Sequence, residues 1–414
     1  MHLYIGTNPN GGKMKMKKFT KVMALLLSLS MVLCFAACGG TTEETTAPGG
    51  EETTAADVAY DLTKEGDYTA ENTEYVIGAT GPLTGDAASY GISVQQGAQL
   101  AIEEINAAGG LNGVNFKLDM KDDKATAADA STGYDALFEA GMQASLGSVT
   151  SGSAESFATR ADEDGVFALT PSASADNVIN ASNSCFRVCF GDPDNGIMSA
   201  EKLAAEYENI GAIYDSSDPY SSGIYEAFKT KMAELNVTYI EQSFDAENNR
   251  DFSTQVEALK DCDVIFLPIY YTEAGLIAKA CVAKGCDAFL FGCDGLDGVA
   301  AQIDDTVTNK ISYLTPFDVN SADAQVAAFV TAYETKYGAK PDQFAADGYD
   351  AVYAIFEAMK KLEVNNVKVD PAELGKALTA TFTSADFSYT GVTGGMVWDA
   401  SGACEKEPII VEVN

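Results

Sequence analysis

Short apolar segments alternate with helical segments from Tyr75 towards the end of the chain. The segment YVIGAT at 75–80 reads as the first strand, and apolar residues then recur at helical spacing from Val94 to Ile105. Strand segments separated by helices of about 10–15 residues are typical of right-handed βαβ units and a parallel sheet. The number of strand segments favours two sheets over one. The sequence therefore predicts an α/β fold with two parallel-sheet lobes joined by a hinge.

The last part of the chain departs from this alternation. Two long helical segments at 322–337 and 343–361 are followed by the strand-like segments GVTGGMVWD and PIIVEV. We expect these two segments to be antiparallel additions to the fold.

Six polar loops follow the predicted strands. They are ATGPLTGDAASYG (79–91), GSVTSGSAES (147–156), TPSASADN (170–177), DSSDPYSSG (215–223), PIYYTEAG (268–275) and GCDGLDG (292–298). In open α/β sheets, ligands bind outside the carboxyl ends of the strands, where such loops converge. The loops are rich in Ser, Thr, Tyr and Asp, so we expect a polar cleft that binds a small molecule.

The serine-rich loop at 147–156 has several possible roles. It could be a turn without a ligand, a turn that carries a nucleophilic serine, a phosphate-binding loop or a loop that binds another small molecule. A nucleophile elbow requires G-x-S-x-G and a histidine partner, but that motif is absent and His2 is the only histidine. The phosphate-loop motif G-x-x-x-x-G-K-[ST] is absent as well. The position of the loop after a strand and before a helix favours ligand binding by Ser151, with Ser148 and Ser153 supporting the turn.

The charge of the chain excludes one class of partner. With 26 Lys+Arg against 61 Asp+Glu, the formal net charge is −35. Such a surface repels phosphate backbones, so a nucleic-acid partner is excluded.

The first residues have the pattern of an export signal. A lysine-rich stretch at 13–21 precedes an apolar run from Val22 to Ala37. This run is shorter than an ordinary transmembrane helix requires. The following LCFAACG resembles a bacterial lipobox, in which Cys38 becomes the lipidated first residue; the alternative is an ordinary cleavage site with an incidental cysteine. Residues 1–37 are thus expected to be a signal peptide. Residues 38–73, rich in Thr, Glu, Gly and Ala, are expected to be a disordered tether.

The order of these loops resembles the substrate-binding proteins of branched-chain amino acid ABC transporters, the leucine/isoleucine/valine-binding group with the type I periplasmic fold. The resemblance covers about residues 74–414, with further marks in AIEEINAAGGLNG, DFST and GMVWDASG. It implies a lobe of 74–194 plus 318–390 and a second lobe of 195–317 plus 391–414. It also implies an extracytoplasmic, lipid-anchored monomer that delivers an amino acid to ABC permease and ATPase subunits, without cofactor, metal or enzymatic activity.

The resemblance also implies roles for individual residues. Ser151 matches the serine that binds the ligand carboxylate through its hydroxyl and backbone amide, and Ser172 and Ser174 match the pair that binds carboxylate and ammonium. Tyr270 and Asp294 match the second-lobe residues that receive the ammonium. The chemistry is sound, because a helix N-terminus attracts a carboxylate and a sheltered acid forms a strong bond with an ammonium.

Four more residues complete the expected site. Tyr90 and Tyr220 match the walls of the cleft, whereas Val149 and Thr150 match residues near the ligand side chain. An aliphatic amino acid is the expected ligand, but Ser172 and Asp294 depart slightly from the leucine-binding pattern. Small amides or urea therefore stay open as ligands.

Other functions also stay open at this point. The same clamp could serve a chemoreceptor or a sensor kinase in place of a transporter. A secreted hydrolase that uses Asp294 and Glu273 as paired acids is a third alternative.

Overall fold

The computed structural model describes residues 60–67 and 72–413. The predicted signal peptide, Cys38 and most of the predicted tether lie outside these residues. Within the described ranges, no helix is both long enough and apolar enough to cross a membrane.

The first lobe is built on a sheet of five parallel strands in the order β2-β1-β3-β4-β5. The strands are β1 (Tyr75–Gly81), β2 (Phe116–Asp122), β3 (Ala144–Ser145), β4 (Ala168–Thr170) and β5 (Cys185–Arg187). The helices between them are α1 (Ala88–Ala107), α2 (Ala127–Glu139), α3 (Ser151–Asp164) and α4 (Asp176–Asn180). Strands 1 to 5 thus confirm the predicted alternation in this half of the chain.

The second lobe contains a six-stranded sheet in the order β13-β10-β9-β8-β6-β7. Its strands are β6 (Ile210–Asp215), β7 (Ile240–Phe244), β8 (Val264–Leu267), β9 (Phe289–Gly292), β10 (Ile311–Thr315) and β13 (Ile409–Val413). Its helices are α5 (Asp192–Glu206), α6 (Pro219–Glu234), α7 (Ser253–Leu259) and α8 (Tyr271–Lys284), with short 3₁₀ turns at Asp294–Leu296 and Val299–Gln302. Only β13 runs antiparallel to its neighbour in this sheet.

Three later helices return to the first lobe: α9 (Ala324–Tyr337), α10 (Gln343–Lys361) and α11 (Pro371–Phe382). Helices α1 and α10 pack closely because glycines stand at their contact. A Cβ on Gly97 would come within 1.8 Å of the Ala345 carbonyl oxygen, and one on Gly348 within 2.6 Å of the Val94 oxygen. This close packing brings the first turns of α1 and α10 together at the cleft.

The chain ends with a hairpin and a strand, as predicted. Strands β11 (Tyr389–Gly391) and β12 (Gly394–Met396) pair antiparallel. The structure differs from the predicted lobe boundary, because Met396, Trp398 and Cys404 are buried in the core of the first lobe. The Trp398 indole N–H donates to the Arg187 carbonyl oxygen at 2.8 Å. In this position the tryptophan buries its apolar ring and also has an acceptor for its N–H group. Only β13 at the end of the segment 391–414 joins the second sheet.

The end of the predicted tether is also more ordered than expected. Glu65 forms a bridge with Val369, and the Lys64 ammonium lies 3.0 Å from the Asp370 carboxylate. Leu62 packs against the core of the first lobe. Residues 60–67 are therefore attached to the first lobe at the start of α11.

Between residues 72 and 413 the chain passes between the two sheets three times: from β5 into α5, from β10 into α9, and from the hairpin into β13. The third crossing carries a buried ion pair, in which Lys406 contacts Thr393 and lies 3.6 Å from the Asp347 carboxylate. These three segments form the hinge that the two-lobed prediction requires.

Candidate ligand-binding cleft

Loops from the carboxyl ends of both sheets meet in a cleft between the lobes. One cavity there is lined from the first lobe by Tyr90, Val149, Thr150, Ser151, Ser172 and Phe344, and from the second by Tyr220, Tyr270, Asp294 and Gly295. Its volume is about 10 Å³, which is the room of a single water molecule. In this arrangement of the lobes the cavity therefore leaves no room for a molecule larger than water.

The first-lobe side of the cavity is the N-terminus of α3. Thr150 is the N-cap in extended conformation, Ser151 is the first helical residue, and the first turn carries no acid. The first amides of a helix have no partner within the helix and carry partial positive charge. The Thr150 hydroxyl is buried and has no hydrogen-bond partner among the described residues. This end of the cavity therefore offers unused donors for an anion.

Hydrogen bonds connect the loop at 147–156 with the loop at 170–177, and the first runs from the Thr170 hydroxyl to the Ser148 carbonyl oxygen at 2.7 Å. The Ser151 hydroxyl accepts from the Ala175 amide at 3.3 Å, and the Ser172 hydroxyl donates to the Val149 carbonyl oxygen at 2.8 Å. The loops after β3 and β4 thus form one rigid wall, on which the Ser151 side chain has a fixed position.

The second-lobe side is built around Asp294, whose residue is only 5% exposed. Its Oδ1 accepts a hydrogen bond from the Tyr220 hydroxyl at 2.9 Å and one from the side-chain amide nitrogen of Asn195 at 3.4 Å. The Tyr220 and Tyr270 rings stack with centroids 4.9 Å apart and planes 14° apart. Burial raises the pKa of Asp294 from 3.8 to about 6, although its hydrogen bond with Tyr220 acts in the opposite direction. A cation beside this carboxylate would favour its ionised form.

Tyr90 joins the two lobes. Its hydroxyl donates to the Gly295 carbonyl oxygen at 2.5 Å and accepts from the Tyr271 amide at 3.1 Å. Its ring lies 4.3 Å from Phe344 and 5.5 Å from Tyr270, centroid to centroid. Burial raises the pKa of Tyr90 well above its ordinary value, so this hydroxyl keeps its proton.

The structure brings eight of the nine predicted side chains to one cavity; Ser174 is the exception. Its backbone oxygen accepts from the Arg187 guanidinium at 2.8 Å and from the Asp192 amide at 3.1 Å. Its hydroxyl is buried without a hydrogen-bond partner within the described chain. Ser174 therefore lies behind the wall that Ser151 and Ser172 form.

Sequence reasoning missed two lining residues, Gly295 and Phe344. Gly295 directly follows Asp294, so the GCDGLDG loop carried the signal for it. Phe344 lies in the first turn of α10, where Asp342 caps the helix by accepting from the Ala345 amide at 2.9 Å. Its only signal in the sequence was its place at the start of a long helix.

Within residues 60–67 and 72–413, no group of three or more His, Cys, Asp or Glu side chains is placed to hold a metal ion. The seven cysteines from Cys185 to Cys404 are buried and unpaired thiols.

Two parallel-sheet lobes with a polar cleft at the carboxyl ends of their strands define a two-lobed binding protein of the type I periplasmic class. The family model for periplasmic binding proteins matches residues 74–406. The chain belongs to this family, whose members are binding proteins for small molecules outside the cytoplasm.

Known relatives agree with this placement. A Leu/Ile/Val-binding protein of Rhizobium johnstonii is 29% identical over 227 residues, which are 54% of this chain and 62% of that protein, less than two thirds of its length. The leucine-, isoleucine-, valine-, threonine- and alanine-binding protein of Pseudomonas aeruginosa is 25% identical over 333 residues, 79% of this chain and 86% of that protein.

A solved structure extends the comparison to the fold. The branched-chain amino acid transporter substrate-binding protein LivJ from Streptococcus pneumoniae, in complex with isoleucine, is 28% identical and has a TM-score of 0.73. The match covers 81% of this chain and 95% of that one. The predicted two-lobed α/β fold and the resemblance to the Leu/Ile/Val-binding group are both confirmed.

Proposed function

We propose that this chain binds an α-amino acid with an aliphatic side chain between its lobes and delivers it to an ABC permease. It acts outside the cytoplasm as a monomer, is held at the membrane through a lipid on Cys38, and catalyses no reaction. The relatives that bind leucine, isoleucine and valine, and the LivJ structure with isoleucine, support the choice of ligand.

One observation carries this proposal: the start of α3 and the Asp294 carboxylate face the same cavity from opposite lobes. An amino acid zwitterion has one group for each end. Its carboxylate would take the Ser151 hydroxyl and the free amides of α3, and its ammonium would take Asp294. Because each charged group would meet a partner on a different lobe, binding would hold the cleft closed.

The rest of the lining suits an apolar side chain. Val149 and Phe344 are apolar, and the stacked rings of Tyr220 and Tyr270 cover the second-lobe wall. Among the residues that the structure describes, no Lys or Arg lines this cavity. A side chain with a negative charge would find no partner there and would pay the full cost of its desolvation.

The experiment is a thermal-shift screen of the chain from residue 39 onward against amino acids, small amides and urea. A ligand at 100 times its dissociation constant stabilises the folded state by about 2.7 kcal/mol. For a domain of this size we expect a shift of roughly 4 °C in Tm, since the unfolding entropy is about 2 cal/mol/K per residue. Stabilisation by aliphatic amino acids supports the proposal, whereas stabilisation by neutral amides alone refutes the choice of ligand.

A further inference from the structure

Two cysteines meet where helix α8 ends. Gly285, in the left-handed conformation with φ 66°, stops the helix, and the Cys286 amide then donates to the Cys281 carbonyl oxygen at 2.9 Å. This is the Schellman arrangement, in which the residue after the glycine commonly packs its side chain against the residue that supplies the carbonyl. Both cysteines belong to one buried core cluster of the second lobe, where their thiols are neighbours.

The position of the two residues suits a covalent bond between their sulfur atoms. A disulfide requires Cα atoms about 4.4–6.8 Å apart and side chains that converge. Because the 2.9 Å hydrogen bond joins the backbones of the same two residues, their Cα atoms are held within this range. Burial first, and then the charge of a Cys286 thiolate, raises the pKa of Cys281, as expected for thiols side by side.

The backbone on the other side of Cys286 is fixed as well. The side-chain amide of Asn309 donates to the Cys286 carbonyl oxygen at 2.9 Å and to the Ala288 carbonyl oxygen at 2.8 Å. A third thiol of this core, Cys262, is directed at β6, where its sulfur lies 3.2 Å from the position that a Cβ on Gly211 would take. The helix end therefore presents Cys281, and not Cys262, to Cys286.

The family to which the chain belongs acts outside the cytoplasm, where disulfides form and persist. We infer that Cys281 and Cys286 are a disulfide-forming pair, a modification site that fastens the end of α8 to the loop before β9. This inference goes beyond the proposed function, because it does not depend on which ligand the cleft binds.

The reaction is thiol–disulfide exchange with a small-molecule disulfide as the oxidant. One cysteine thiolate attacks that disulfide, forms a mixed disulfide and releases one small thiol; the second thiolate then attacks the mixed disulfide, closes the Cys281–Cys286 bond and releases the other. Two electrons pass from the cysteines to the oxidant, and the two cysteine protons end on the released thiols. Cys281 is fully buried and Cys286 is 2% exposed, so the exchange takes place as the chain folds.

The test refolds the reduced chain, from residue 39 onward, in the presence of oxidised glutathione, and cooperative thermal unfolding identifies the folded protein. After alkylation of free thiols, trypsin separates the two cysteines because it cuts after Lys284. We expect peptide 280–284 to stay joined to peptide 285–310 until it is reduced, with the bond assigned to Cys286 by tandem mass spectrometry. The same protein refolded with reduced glutathione should give both peptides alkylated.

Two serine variants are the controls. Cys262→Ser removes the third thiol of this core and should keep the cross-link, whereas Cys281→Ser should abolish it and yield alkylated Cys286. The inference is overturned if the parent protein, refolded with oxidised glutathione, yields both cysteines alkylated, or if the bond uses Cys262 or Cys293. The peptide map of the parent protein decides the question even if a variant fails to fold.

Discussion

The Tyr220 hydroxyl donates a 2.9 Å hydrogen bond to Asp294 Oδ1 and accepts a 2.8 Å bond from the Gly295 amide. This relationship fixes the direction of the carboxylate before any ligand arrives, because the tyrosine ring is itself held by stacking on Tyr270. A preorganised acceptor loses little freedom on binding, so more of the interaction free energy remains as affinity.

Asp294→Asn keeps the volume of the side chain and an oxygen for the Tyr220 hydroxyl, but it removes the negative charge. A hydrogen bond with a charged group contributes about 1.5–3 kcal/mol, so we expect leucine affinity to fall by roughly 10- to 150-fold. Calorimetry measures the change. Asp304→Asn, an exposed acid of the same lobe, is the control and should bind like the parent protein.

Ser151→Ala removes the hydroxyl proposed to bind the carboxylate and leaves the backbone amides of α3 in place. We expect about tenfold weaker leucine binding, because one charge-assisted bond of the set is lost. Ser153→Ala is the matched control on the same helical turn, since the Ser153 hydroxyl is buried and has no partner among the described residues. Equal losses in the two variants would contradict the assigned role of Ser151.

Ser148→Ala should affect stability and not binding. The Ser148 hydroxyl donates to the Asp123 carboxylate at 2.6 Å, and both residues are buried. Removal of this donor leaves a buried carboxylate with one bond fewer, at a cost of about 1–3 kcal/mol. Urea denaturation measures the loss. Unchanged stability together with weaker leucine binding would place Ser148 in the ligand site instead of in the support of the turn.

The pH dependence of the unliganded protein and that of the ligand affinity should have opposite signs. Burial raises the pKa of Asp294 from 3.8 to about 6, and that of Asp347 to about 8. Between pH 3.8, the pKa of an unfolded aspartate, and these raised pKa values, the folded state binds more protons than the unfolded state. The stability that these two acids contribute is therefore present at low pH and lost as the pH rises. We expect unliganded protein to resist urea better at pH 5.5 than at pH 8.

Leucine affinity should fall as the pH is lowered from 8 to 5, because the ligand ammonium binds the ionised form of Asp294. Titration calorimetry from pH 8 to pH 5 measures this slope. An affinity that does not change with pH, or that improves below pH 6, would contradict the role of Asp294 as the ammonium acceptor.

Much of the site could be predicted because strand ends converge in a parallel sheet. Ser151 and Asp294 follow different strands of different lobes, yet both stand where loops must meet. Phe344 was not predicted because it reaches the cleft from the start of α10 and not from a loop after a strand. An apolar residue in a helix gives no sign in the sequence that it contacts a ligand.

The position of the boundary between the lobes in the segment 391–414 could not be predicted for a related reason. The segment 391–414 has the pattern of strands, but that pattern does not say which sheet each strand joins. Burial of Trp398 against the first lobe and pairing of β13 with β10 are choices made by tertiary packing. The attachment of residues 60–67 depends likewise on single contacts such as Lys64 with Asp370, which composition does not reveal.

The central claim is that one amino acid zwitterion joins the start of α3 to Asp294 across the cleft. A crystal structure of the chain grown with L-leucine tests it most directly. We predict the leucine carboxylate within hydrogen-bond distance of the Ser151 hydroxyl and amide, and the ammonium within that distance of the Asp294 carboxylate. Leucine bound with these two ends reversed, or bound outside the cleft, would contradict the claim.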